Sequence, residues 1–171
     1  MKTASVKKLA TAAILCALAV VGSVFVTFPF LGSMCAPVQH MVNILCAVFL
    51  GPWYGVGAAF ASSLLRNALG VGSLMAFPGS MCGALLCGLA YHQFKNLPVT
   101  LAAEVVGTAL IGGLAAYPVA VQLMGQTPAT LYAYIVPFFI STAVGSALAG
   151  VLVFALQKSG AMRAMRSALE H

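Results

Sequence analysis

Negative charge is nearly absent from this chain. Its 171 residues contain no aspartate and two glutamates, Glu104 and Glu170, too few for chemistry built on paired carboxylates or on a carboxylate-rich metal site. There is no H-E-x-x-H, no C-x-x-C and no G-x-x-x-x-G-K-[ST]. Zincin-type hydrolysis, a dithiol centre and P-loop nucleotide hydrolysis are thereby excluded. Any uphill process must draw its energy from a partner. The five cysteines, Cys16, Cys35, Cys46, Cys82 and Cys87, lie in apolar runs and read as small hydrophobes. No metal, cofactor or disulfide is assigned.

Charged residues of both signs reach only 6%, against 62% hydrophobic residues and a mean hydropathy of +1.05. Such a composition cannot cover a soluble domain with polar surface and reads as a polytopic membrane protein. It should be all-α, because an open sheet cannot satisfy its backbone in hydrocarbon. At ~20 residues per span, the length accommodates about six helices in one transmembrane domain over residues 1–171, with no separate soluble domain.

Breaks in the apolar pattern place these spans at about 8–28, 37–50, 53–69, 78–91, 98–123 and 130–157. Pro29 and Gly32 end the first, Pro37 suits a helix start, and Gly51-Pro52 makes a tight turn. Pro137 is expected to kink the sixth span without ending it. The apolar run after Lys7-Lys8 is too long for a secretory signal and reads as a retained first helix. Phe28-Pro29 followed by Gly32-Ser33-Met34-Cys35 resembles Phe77-Pro78-Gly79-Ser80-Met81-Cys82, which is either shared loop-to-helix chemistry or coincidence.

Positive residues orient the bundle. Lys2, Lys7 and Lys8 precede the first span, Lys95 lies between the fourth and fifth, and Lys158, Arg163 and Arg166 follow the sixth. All fall on one side, which the positive-inside rule makes cytoplasmic, together with both termini. The opposite connections, 30–36, 70–77 and 124–129, carry no charge. The net charge of +6 is therefore a topology signal. No basic patch with interleaved aromatics points to nucleic acid. The tail, 158–171, alternates basic and apolar residues and should lie on the inner surface. Leu169-Glu170-His171 is also what an expression vector leaves behind, and is given no function.

One cation breaks the rule. Arg66 sits inside an apolar segment, Ser62-Ser63-Leu64-Leu65-Arg66-Asn67, where an arginine at the helix centre costs roughly 2.5 to 3.5 kcal/mol. In the second span Gln39, His40 and Asn43 share a face. The short Gly51-Pro52 turn makes spans two and three antiparallel neighbours, so these residues meet Arg66 and Asn67 at similar depth in one cavity. The 70–79 loop, with Ser73 and Phe77, closes over it. The alternative is that Arg66 snorkels to outer headgroups or bonds a helix-end carbonyl, and that His40 is an interfacial histidine.

Glu104, near the cytoplasmic start of the fifth span, should lie roughly 10 Å from Arg66 in depth at 1.5 Å per residue. Its role stays open between an inner-surface carboxylate, a helix cap and a cavity group. Tyr117, Gln122, Tyr132 and Tyr134 are candidates for the pocket or for an aromatic belt, and Trp53 and Tyr54 for the inner belt. Small residues recur at helix-packing spacing in Ala13 and Ala17, in Gly55, Ala59 and Ser63, in Thr108, Gly112 and Ala116, and in Ser141, Gly145 and Ala149.

Several of these segments together resemble a known family. Ala36-Pro37-Val38-Gln39-His40-Met41-Val42-Asn43, Gly51-Pro52-Trp53-Tyr54, Leu65-Arg66-Asn67 with Gly70-Val71-Gly72-Ser73, and Ala76-Phe77-Pro78-Gly79-Ser80 are similar to the ThiW-type substrate-binding S component of energy-coupling factor (ECF) vitamin transporters. The resemblance covers nearly the whole chain, is most specific from Ala36 to Gly88, and weakens after Leu123. It implies uptake of a thiamin precursor, the thiazole alcohol hydroxyethylthiazole, across a prokaryotic plasma membrane. It also implies partnership with a transmembrane T subunit and two ATPase subunits. Ala13 and Ala17 resemble the first-helix contact to the T subunit. Gln39, His40, Asn43, Arg66, Asn67, Ser73, Tyr117 and Tyr132 become candidate substrate-binding residues. A neutral alcohol does not require a full cation, so an anionic ligand stays open, as does a different vitamin such as thiamin or riboflavin. An intramembrane enzyme lacks acid, base and metal groups, and a channel has no need of a blind polar cluster under a glycine-rich loop.

Overall fold

Proline, glycine and a few polar caps set the element boundaries. In the computed structural model, which describes residues 2–31 and 33–170, helix α1 runs Lys2–Phe25 and is followed by strands β1, Phe28–Phe30, and β2, Ser33–Cys35. Gly32 and His171, both named in the sequence reading, lie outside the described residues, as do the side chains of Lys2 and Glu170. Helices α2, Pro37–Phe49, and α3, Pro52–Ala68, each begin on a proline, whose missing N–H is no loss in a first turn. Between them Gly51 takes φ +93°, a left-handed turn that favours glycine. Helix α4 spans Ala76–Phe94. The next helix is continuous over Leu97–Gln122 but is α-helical only at its ends, α5 Leu97–Val105 and α6 Gly113–Gln122, with a π-helical stretch Val106–Gly112 between them. Helix α7 runs Ile135–Lys158 and α8 Ala161–Glu170.

The chain is 79% helical and all-α. Among the described residues three helices are long and apolar enough to cross a membrane, Ala4–Phe25, Leu97–Gln122 and Ile135–Lys158, and Pro37–Phe49 is apolar but shorter. Large apolar side chains such as Ile14, Phe25, Leu110, Val151 and Phe154 point outward, while Gln39, Asn43, Ser62, Ser63, Thr100, Glu104 and Thr142 are almost fully buried. This inside-out distribution suits a lipid surround.

Three local expectations need correction. The first helix stops at Phe25 rather than about residue 28, and residues 28–35 form an antiparallel hairpin pairing Phe28 with Cys35 and Phe30 with Ser33. The resemblance between that segment and Phe77-Pro78-Gly79-Ser80-Met81-Cys82 is therefore not structural, because the second copy lies within α4. The last long helix starts at Ile135, not near residue 130, so Pro137 falls in its first turn, where a proline causes no kink. Leu169, left without a role by the sequence reading, is 8% exposed and packs among Ala12, Cys16 and Cys46.

Helix α4 sits among α2, α3, α5 and the π stretch, α2 also packs on α7, and α1 covers α2 and α3. The hairpin caps one end of this bundle and α8 the other. Because α2 has 13 residues, it is only about 20 Å long at 1.5 Å per residue. With the hairpin above it, its first turn starts well inside the bundle, and that depth places the site.

Candidate functional site

Under the hairpin lies a cavity enclosing about 440 Å³ of empty space, its mouth included. Seven chain segments wall it. The hairpin and its exit supply Ser33, Met34 and Ala36; α2 supplies Gln39 and His40; α3 supplies Arg66. The following loop and α4 add Ser73, Ala76, Gly79 and Ser80, the π stretch adds Thr108, and α7 adds Phe138 and Ser141.

The loop is held by side-chain chemistry at the end of α3. Gly70 takes φ +72°, and the chain folds back so that Val71 N–H donates to the Arg66 carbonyl at 3.0 Å. Asn67 Nδ2 donates to the carbonyls of Ser63, at 2.8 Å, and Ser73, at 3.0 Å. Asn67 is thus a clamp that brings Ser73 to the cavity. A Cβ on Gly72 would lie 3.0 Å from both Arg66 and Asn67, so a larger residue there would have to push the end of α3 aside by a few tenths of an ångström.

A buried polar network lies behind the wall. Ser62 Oγ donates to Gln39 Oε1 at 2.8 Å, and Gln39 Nε2 donates to Asn43 Oδ1 at 3.2 Å, one helical turn along. Asn43 Nδ2 donates to the Ser80 carbonyl and to Glu104 Oε1, both at 3.0 Å. The same carboxylate oxygen receives Thr108 Oγ1 at 3.2 Å and lies 3.0 Å from His40 Nδ1. With Nδ1–H donating to Glu104, Nε2 of His40 is left as an acceptor for the cavity that His40 lines.

Glu104 is fully buried. It touches His40 and Asn43 directly; of the roles left open for it, this is that of a group in the polar network. Glycine makes room: a Cβ at Gly83 would come within 2.7 and 2.8 Å of the two Glu104 oxygens.

Two groups of opposite formal charge remain incompletely satisfied. Glu104 Oε2 is buried without a hydrogen-bond partner, and so is Nε of Arg66, whose side chain is 2% exposed. Among the described residues the one ion-pair contact is His40–Glu104, and Arg66 has no carboxylate beside it. A buried unsatisfied donor costs about 1–3 kcal/mol, more when charged, so Arg66 Nε is held in place at a cost.

A protein-family model described as the thiamine-precursor transporter protein (ThiW) matches residues 9–159. The chain belongs to the ThiW family. No curated protein matches it. The ThiW match takes in every residue that lines the cavity and stops at Ser159, before α8. A family of transporters, together with three apolar helices of membrane-spanning length, places this ThiW protein in a membrane.

Of the candidate residues, Gln39, His40, Arg66 and Ser73 line the cavity, Asn43 stands directly behind it, and Asn67 holds the loop. Tyr117 and Tyr132 are not among the lining residues. Tyr132 is 63% exposed in the turn before α7, because α7 begins five residues later than expected and leaves that turn outside the wall. Ala13 and Ala17 are exposed on α1. Sequence reading missed Ser33, Met34, Ser80, Phe138 and the lining roles of Thr108 and Ser141. The one available signal was the four-residue spacing of Glu104 and Thr108, which puts two polar side chains on one helical face.

Proposed function

We propose that this ThiW protein is the substrate-capturing S component of an ECF-type ABC transporter, importing the thiazole moiety of thiamin as hydroxyethylthiazole. The observation that carries this reading is the Arg66 guanidinium, buried and lacking a carboxylate in a cavity that His40 also lines. Arg66 donates to the hydroxyl oxygen of the ligand, His40 Nε2 accepts its O–H, and Phe138 with Met34 packs against the heteroaromatic ring. Gln39 and Asn43 keep His40 and Glu104 in register, and Asn67 holds Ser73 over the ligand.

The wider arrangement follows from the same reading. Six spans, formed by α1, α2, α3, α4, the continuous helix Leu97–Gln122 and α7, make a single transmembrane domain in a prokaryotic plasma membrane. Both termini and the 158–171 tail are cytoplasmic. The protein is not an enzyme: with no P-loop in the sequence, a T subunit and two ATPases supply the energy. Ala13 and Ala17, exposed on α1, contact the T subunit. Ligand enters at the hairpin end, and the subunit reorients on the coupling module to release it inward.

Mass spectrometry of the small molecule released on denaturing the purified protein tests this. Hydroxyethylthiazole is the expected species; a flavin or intact thiamin in its place would assign the cavity to another vitamin.

A further inference from the structure

The opposite end of the bundle carries a second cavity, unrelated to the first. It encloses about 850 Å³ with its open mouth and is bounded by Lys8 on α1, Gly51 in the α2–α3 turn, His92 and Lys95 at the end of α4, and Arg166 and Leu169 on α8. Three permanent cations and an imidazole thus face one hollow. The chain has only two acidic residues, and Glu104 is bound to His40 inside the bundle. At most one side-chain carboxylate, Glu170, remains to offset all the cations on this face. Helix dipoles do not offset them either, because three N-termini (α1, α3, α5) and three C-termini (α2, α4, α7) end there, each worth about half a charge of opposite sign.

The cations are positioned. Tyr91 is 7% exposed, with the Arg166 guanidinium 5.6 Å and the Lys95 ammonium 5.4 Å from its ring centre. Arg166 also donates to the Tyr91 hydroxyl. Lys95 takes φ +50°, turning the chain back at the end of α4, and buried Met162 and Leu169 fix α8 beneath the bundle. Trp53 and Phe94, 74% and 64% exposed, flank the same end, as aromatic side chains do at the headgroup level of a bilayer. From Phe94, next to Lys95 in the chain, an almost wholly apolar groove runs between α4 and α5 past Leu89, Val99 and Val106. Charge at the end and an apolar groove along the side match one molecule with both properties.

We infer that this cavity binds the phosphate of an anionic phospholipid headgroup, with an acyl chain in the α4–α5 groove. Basic pockets between helices at the cytoplasmic level recognise such headgroups, and one basic residue near an anionic surface contributes about a fivefold gain in affinity.

The test uses the full chain in neutral detergent, with its single tryptophan, Trp53, as fluorescence reporter. Dioleoyl phosphatidylglycerol, dioleoyl phosphatidylcholine and inorganic phosphate are titrated separately. Phosphatidylglycerol should give a saturable change that phosphatidylcholine does not. Lys8→Gln, and Lys95→Gln, which also gives up the ammonium's contact with the Tyr91 ring, should each weaken it about fivefold, while Arg163→Gln, an equal loss of charge outside the cavity, should leave it unchanged. Inorganic phosphate reproducing the response at equal concentration would reassign the site to free phosphate and overturn the lipid. Equal responses to the two lipids, or equal weakening by Arg163→Gln, would show general surface attraction and overturn the site itself.

Discussion

Nδ1 of His40 lies 3.0 Å from Oε1 of Glu104, 64 residues away in the chain, with the two side chains 8% and 0% exposed. This contact joins the wall of the cavity to the network behind it: the carboxylate that orients His40 also holds Asn43 and Thr108. One buried acid sets the donor and acceptor pattern that a ligand meets.

Glu104→Gln keeps the shape but removes the charge that fixes the His40 tautomer. Hydrogen bonds to charged groups contribute about 1.5–3 kcal/mol, so hydroxyethylthiazole affinity should fall roughly 10- to 100-fold with little change in thermal midpoint. Glu104→Leu leaves Asn43, His40 and Thr108 facing an apolar side chain and should destabilise the fold itself by about 3–5 kcal/mol. Thermal unfolding in detergent, set beside calorimetric binding, separates the two effects.

Arg66→Leu should do the reverse. The unliganded protein loses a buried cation that no carboxylate offsets, so its thermal midpoint should hold or rise, while ligand binding disappears. A fall in midpoint as large as that of Glu104→Leu would make Arg66 a structural residue.

Gly83→Ala pushes a methyl group against both Glu104 oxygens, where its Cβ would lie 2.7 and 2.8 Å away. Overpacking of this kind costs about 1–3 kcal/mol, and the displaced carboxylate should lower ligand affinity as well. Gly57→Ala, with nothing within 4 Å of the added atom, is the matched control and should leave both quantities unchanged.

Asn67→Ala cuts the bonds to Ser63 and Ser73 without touching the cavity wall. The loop over the site should loosen, and the ligand off-rate should rise several-fold, at about 1 kcal/mol for the Ser73 hydrogen bond that tethers it. The on-rate should change little, a split that stopped-flow binding resolves.

Much of the helix pattern is legible in the sequence because proline and glycine act locally. Pro37 and Pro52 open helices for a reason visible in the residues themselves, and Arg66 stands out by its cost in an apolar run. The hairpin at 28–35 is not legible: strands of three residues carry no periodicity, and their pairing depends on the bundle beneath. Nor is the partnership of His40 with Glu104, since it depends on how deep a short helix begins, and Thr108 reads in sequence only as a small packing residue. Tyr132 shows the opposite error, a belt-like aromatic assigned to a pocket that the late start of α7 leaves out of reach.

The central claim is that the cavity joining His40 and Arg66 is the thiazole site. Isothermal titration of hydroxyethylthiazole into the ligand-free purified protein tests it most directly, with Arg66→Leu and His40→Ala alongside. The account predicts saturable one-site binding to the unmodified protein and none to either variant; unchanged affinity in both variants would contradict it.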